Sequence, residues 1–124
     1  MTDYLDLDDL LAAAEAALGG APEIRDIGLL DAAAARARAT VFGADAYADL
    51  DSKAAALLHS IVTGHPLVDG NKRLGWVATR LFYLMNDVDL KAPMEDGYRL
   101  IVAVADGSLR DVAEIARQLA AWRA

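Results

Sequence analysis

The chain contains no cysteine, which excludes disulfides, thiolate nucleophiles and thiolate metal sites together. It has no uninterrupted run of roughly 18 apolar residues, the length a bilayer-spanning helix needs, so no membrane segment is expected. The N-terminal "MTDYLDLDDL" has neither the basic start nor the apolar centre of a secretory signal. Together these absences point to a cytoplasmic protein. An excess of positive charge is missing too. The net charge of −7 is the wrong sign for a duplex nucleic-acid binder, whose phosphate contacts need a basic face, so no direct DNA binding is expected. Internal repeats, low-complexity tracts, interdomain linkers and convincing period-two alternation are absent as well.

What remains is helical. A hydrophobic content of 56% argues against disorder, and 124 residues are most simply one domain, 1–124, with a real core. Leu7, Leu10, Leu11, Ala14 and Leu18 follow three-four spacing until Gly19-Gly20. "APEIRDIG" reads as a loop, followed by a helix from Leu29 to about Phe42, closed by Gly43. A third helix runs roughly from Ala46 to Thr63 and stops at Gly64. A fourth begins near Asn71, with Val77, Leu81, Leu84 and Val88 on one stripe. Pro93 suits the first turn of a fifth, running to about Val104. Ser108 can cap the last, in which Val112, Ile115, Ala116, Leu119 and Trp122 face inward. The expected fold is all-α, a compact single-domain bundle of about six helices.

One stretch breaks the apolar background. "GHPLVDGNKR", Gly64 to Arg73, packs an imidazole, a carboxylate, an amide and two cations between the third and fourth helices. Pro66 disfavours helical geometry at His65, which is therefore expected on extended backbone. Gly70 permits a conformation closed to other residues. The first turn of the fourth helix offers unpaired N–H groups and a positive dipole end, which favour an anion. Lys72 and Arg73 add full charges to that end, where cations are mildly unfavourable for a bare helix. A bound anion would compensate for them.

A Walker phosphate loop does not fit. Its glycines, lysine and hydroxyl residue follow a strand in fixed spacing, whereas Asn71 intervenes here, Arg73 replaces the hydroxyl and no strand precedes. On residue types alone, two readings remain open. The stretch is a solvated interhelical turn with Asp69 capping the next helix, or it is a site equipped for acid–base, metal and phosphate chemistry.

"HPLVDGNKR" resembles the signature of the Fic/Doc proteins: histidine, a partly apolar stretch, an acidic residue, Gly or Ala, Asn, a variable residue and Arg. The variable residue is usually glycine in the Fic branch, whose enzymes transfer nucleotidyl groups. It is lysine in the Doc (death-on-curing) branch, as at Lys72. The size, the helical make-up and the "GGAPEIRDIG" loop also look like Doc. The resemblance implies that His65 is a general base taking the proton of a protein hydroxyl, a task suited to an imidazole. It implies that Asp69 holds Mg²⁺, that Gly70 and the following amides form an anion nest, and that Asn71, Lys72 and Arg73 grip the triphosphate of ATP.

Two departures from the pattern matter. Leu67 replaces the usual phenylalanine but keeps an apolar anchor. Trp76 stands where the Fic branch often has a second arginine. With Lys72, that substitution points away from nucleotidyl transfer and towards γ-phosphate transfer to a Thr or Ser hydroxyl of a translation factor, elongation factor Tu by resemblance. The alternatives kept open are a Fic-type nucleotidyl (AMP) transferase using the same histidine, and a catalytically silent antitoxin-binding domain. The inhibitory string of some Fic proteins (Ser or Thr, three residues, Glu, then Gly or Asn) is absent. Restraint is therefore expected from another chain, a small antitoxin whose C-terminal segment folds on binding. His59, Trp122 and Trp76 are expected to pack, Arg80 to lie on a solvated face, and the acidic N-terminal cluster to be ordinary surface.

Overall fold

Aspartates start most of the helices. The computed structural model describes residues 1–124 and contains α1 (Leu7–Leu18), α2 (Ile27–Ala37), β1 (Thr40–Val41), β2 (Ala44–Asp45), α3 (Leu50–Gly64), α4 (Asn71–Met85), α5 (Met94–Ala105) and α6 (Val112–Ala120). Asp6, Asp26, Asp49 and Asp111 occupy the N-caps of α1, α2, α3 and α6, each accepting a first-turn backbone N–H. Part of the acidic balance is thus structural, since such caps contribute about 1 kcal/mol each. The chain is mostly helical, with six helices as the periodicity implies.

The boundaries differ most in three places, each for a physical reason. Helix α2 ends at Ala37 rather than near Phe42, because residues 40–45 form a hairpin pairing Thr40 with Asp45 and Val41 with Ala44. Phe42 and Gly43 both have positive φ, 52° and 80°, as a two-residue hairpin turn requires. Gly43 is therefore a turn glycine and not a helix stop. Helix α3 starts at Leu50, where Asp49 caps it. Ser108 caps nothing: its hydroxyl bonds the Ala103 carbonyl and Asp106, and Asp111 caps α6.

Helix α3 is the central element. Lys53 to Leu58, Ile61 and Val62 are all buried, and α2, α4, α5 and α6 pack around it. The helix is small-sided at Ala54, Ala55 and Ala56, which lets its neighbours approach closely. At Gly75 on α4, a Cβ would stand 2.6 Å from Val62 Cγ2 and 3.1 Å from Leu58 Cδ1, so the α3–α4 seam admits no side chain there. Leu10, Leu30, Leu57, Leu74, Phe82 and Ile115 fill the core. This seam fixes the C-terminus of α3 against the N-terminus of α4, and the polar stretch bridges those two ends. No helix is long and apolar enough to cross a membrane.

Candidate active site

His65 closes α3 in an unexpected conformation. Its φ and ψ are 53° and 56°, the left-handed region, and its N–H still bonds Ile61 O. Extended backbone was the expectation from Pro66. Proline excludes right-handed helix at the preceding residue but does not choose among the other basins. The choice falls to the helix end, where a left-handed residue completes the last carbonyl bond. Glycine or asparagine usually fills that position, and a histidine there costs about 1–2 kcal/mol.

The loop then turns on buried anchors. Leu67 is 1% exposed, so the apolar anchor is kept. Asn71, also buried, accepts from Leu67 N–H at 2.9 Å and donates to Leu67 O at 3.0 Å. The loop is thereby closed on itself before α4 begins. Gly70 has φ 88°, and a Cβ there would lie 2.3 Å from Leu18 Cδ2. The backbone conformation demands glycine, and a side chain would also require the tip of Leu18 to move.

Asp69 does not cap α4. Its Oδ1 accepts from Gly70 N–H at 2.8 Å, and Gly70, the N-cap of α4, provides no side-chain cap. The first-turn N–H groups of α4 are consequently open at the positive end of the helix. Lys72 and Arg73 are exposed beside them, and the ion pairs of the chain involve neither.

His65, Asp69, Gly70, Asn71, Lys72 and Arg73 all line one cleft of about 1040 Å³. That is at the upper end of the usual range for a small-molecule site. Beyond the charged end, the cleft runs between α4 (Trp76, Val77, Arg80) and α5 (Met94, Gly97, Tyr98, Ile101). Trp76 meets Trp122 edge-on with centroids 6.3 Å apart. A Cβ on Gly97 would stand 3.3 Å from the Trp76 ring. Trp76 is thus a packing anchor that also walls the cleft. Arg80 pairs with Asp89 at 3.6 Å, both half-exposed, so it is neutralised more than Lys72 or Arg73.

The donor set suits Mg²⁺. Groups of three or more His, Cys, Asp or Glu able to cage a metal are lacking. Asp69 offers one carboxylate, leaving the remaining ligands to water and phosphate oxygens, as Mg²⁺ prefers.

Sequence reasoning missed two arginines. Arg25 donates from Nε to His65 O at 2.6 Å and from Nη2 to Gly64 O at 2.8 Å. Its own N–H bonds Pro66 O. No periodic signal could reveal a contact spanning 40 residues of sequence. Arg36 gathers Tyr47 Oη, Ser60 Oγ and His59 Nδ1 at 2.9, 3.0 and 2.9 Å. His59 therefore lies in a structural cluster away from the cleft. Burial, then the Arg36 charge, push its pKa below the ordinary histidine value. Lys53, 2% exposed, pairs with Asp45 at 3.0 Å and also bonds the Tyr47 carbonyl, tying the hairpin to α3.

The fold and the site together define a helical protein in which a histidine-bearing turn faces an uncapped helix N-terminus flanked by free cations. The chain belongs to the Fic/DOC family, whose model matches residues 4–83, from before α1 through most of α4. It is also similar to the toxin Doc of Mycolicibacterium smegmatis (strain ATCC 700084 / mc(2)155). The two are 54% identical over 95 residues, which cover 77% of this chain and 73% of that relative.

Proposed function

We propose that this chain is the toxin of a toxin–antitoxin pair and acts as a Doc-like protein kinase. Its substrates are ATP and a Thr or Ser hydroxyl of a translation factor, with elongation factor Tu the expected target, so its action inhibits translation. The observation that carries this reading is the convergence of His65, Asp69, Lys72 and Arg73 on one cleft at the uncapped end of α4. The 54% identity to a toxin Doc supports the toxin role.

In the proposed reaction the hydroxyl oxygen attacks the γ-phosphorus of ATP. Its proton passes to an imidazole nitrogen of His65, the bond from γ-phosphorus to the bridging oxygen breaks, and ADP leaves with that electron pair. The open N–H groups of α4, with Lys72 and Arg73, hold the phosphates and stabilise the charge that builds on them. Asp69 would hold Mg²⁺, which supplies charge neutralisation to the phosphate oxygens when bound. Asn71 serves the site through the loop, since its amide is engaged by Leu67. The apolar length of the cleft, between Trp76 and Tyr98, has room for the nucleoside.

Lys72 and the tryptophan at position 76 favour phosphoryl over nucleotidyl transfer. The test is ATP labelled at the α or the γ position, incubated with Mg²⁺ and elongation factor Tu. Transfer of γ label alone is expected. Transfer of α label would make the protein a nucleotidyl transferase. The partner expected to restrain it is a small antitoxin whose C-terminal segment folds on binding, and a protein that only binds that partner would transfer neither label.

A further inference from the structure

We propose that Arg25 is a positioning residue for His65, holding the backbone of the base in its left-handed geometry from outside the loop. The inference rests on the reading of His65 as the base. The strap from Glu23 to Asp26 is stitched to the turn by three backbone hydrogen bonds. Arg25 N–H and Asp26 N–H both donate to Pro66 O, at 2.8 and 3.0 Å, and Val68 N–H donates to Glu23 O at 2.9 Å. Ile24 and Leu67 form an antiparallel bridge between the two segments. The strap is itself anchored, because Asp26 is the N-cap of α2 and accepts from Leu29 N–H.

From that anchored backbone the Arg25 side chain forks onto two consecutive carbonyls, Gly64 O and His65 O. These are the end of α3, whose last turn contains no basic residue of its own. A cation is favourable at the negative end of a helix, and here another segment supplies it. The ion pairs of the chain do not include Arg25, so the fork is its polar engagement. The His65 carbonyl can meet that fork only while ψ keeps it turned towards the strap. Fixing that carbonyl fixes the peptide plane between His65 and Pro66, and with it the direction in which the imidazole leaves the chain.

Arg25 is also exposed. Water can replace it on both carbonyls, so its removal should disturb placement more than stability. A lysine would keep the charge but could not bridge the two oxygens with a rigid fork.

The experiment compares wild type, Arg25→Ala, Arg25→Lys and His65→Ala in γ-label transfer and thermal melting. The ¹³C shifts of the His65 backbone, which follow φ and ψ, are recorded for the first three. Arg25→Ala should lower kcat at least about tenfold while the KM for ATP stays within about twofold. Its melting temperature should stay within about 2 °C of wild type. The His65 shifts should move, and Arg25→Lys should recover part of the rate. An unchanged kcat, or a loss of rate matched by a loss of melting temperature, overturns the proposal. If wild type itself transfers no label, the kinase reading fails and the shifts alone decide. Displaced shifts in Arg25→Ala then support the positioning role, and unchanged shifts overturn it.

Discussion

Asn71 clasps Leu67 twice, accepting its N–H at 2.9 Å and donating to its carbonyl at 3.0 Å. Both groups are buried, so neither can turn to water instead. Asn71→Ala should destabilise the protein by about 2–4 kcal/mol, the cost of leaving a buried donor and acceptor unpaired. Denaturant unfolding measures this directly, and an effect confined to activity would mean that the amide serves the nucleotide rather than the loop.

Gly70→Ala should be worse than an ordinary glycine substitution. The new methyl would need a positive φ and the space of Leu18 Cδ2, 2.3 Å away. A loss of about 2–3 kcal/mol is expected, read as a fall in melting temperature, together with loss of label transfer.

His65→Gly should set stability against activity. Glycine relieves the left-handed strain, so melting should show a gain of about 0.5–1 kcal/mol. Label transfer should fall by about a hundredfold or more, as for loss of a general base. A glycine variant that melts lower than wild type would show that the imidazole contributes packing of its own.

Acid should weaken the Arg36 cluster. Burial and Arg36 hold His59 below its ordinary pKa, so the unfolded chain takes up a proton more readily than the folded one. Stability from this group is therefore complete above about pH 6.5 and is lost as pH falls through the folded-state value. His59→Gln keeps an acceptor for Arg36 and cannot titrate. It should flatten the decline in melting temperature between about pH 7 and pH 5.

Lys72→Gly tests the chemistry of transfer. Removing this cation should lower γ-label transfer by about tenfold to a hundredfold. Unaltered transfer in that variant would take Lys72 out of the phosphate grip.

The helix pattern was readable because the apolar spacing of Leu7 to Leu18 and of Leu57, Leu58 and Ile61 is set by burial on one face. What the sequence pattern conceals is local. The two-residue turn at Phe42-Gly43 looks in sequence like a helix stop, because a glycine ends both. The left-handed His65 was hidden behind a proline rule that excludes one basin without choosing between two others. The six residues assigned to the site from "HPLVDGNKR" do line one cleft. The hydrogen bonds of Asn71 and Arg25 depend on which groups the fold brings near, and no motif records them.

The seam at Gly75 has a mechanical consequence. Along α3 and α4 the spacing is set by a methyl of Val62 lying against bare backbone, on a β-branched side chain that a helix holds to one preferred rotamer. Across the cleft, α5 meets α4 through the edge of the Trp76 ring on Gly97, and Met94 and Tyr98 stand exposed on its rim. The cleft therefore has one wall set by close backbone packing, beside the loop of His65, and one wall rimmed by exposed side chains. Ligands of different girth are therefore expected to be met by rotamer changes of Met94 and Tyr98 on the α5 side, with the loop of His65 left in place.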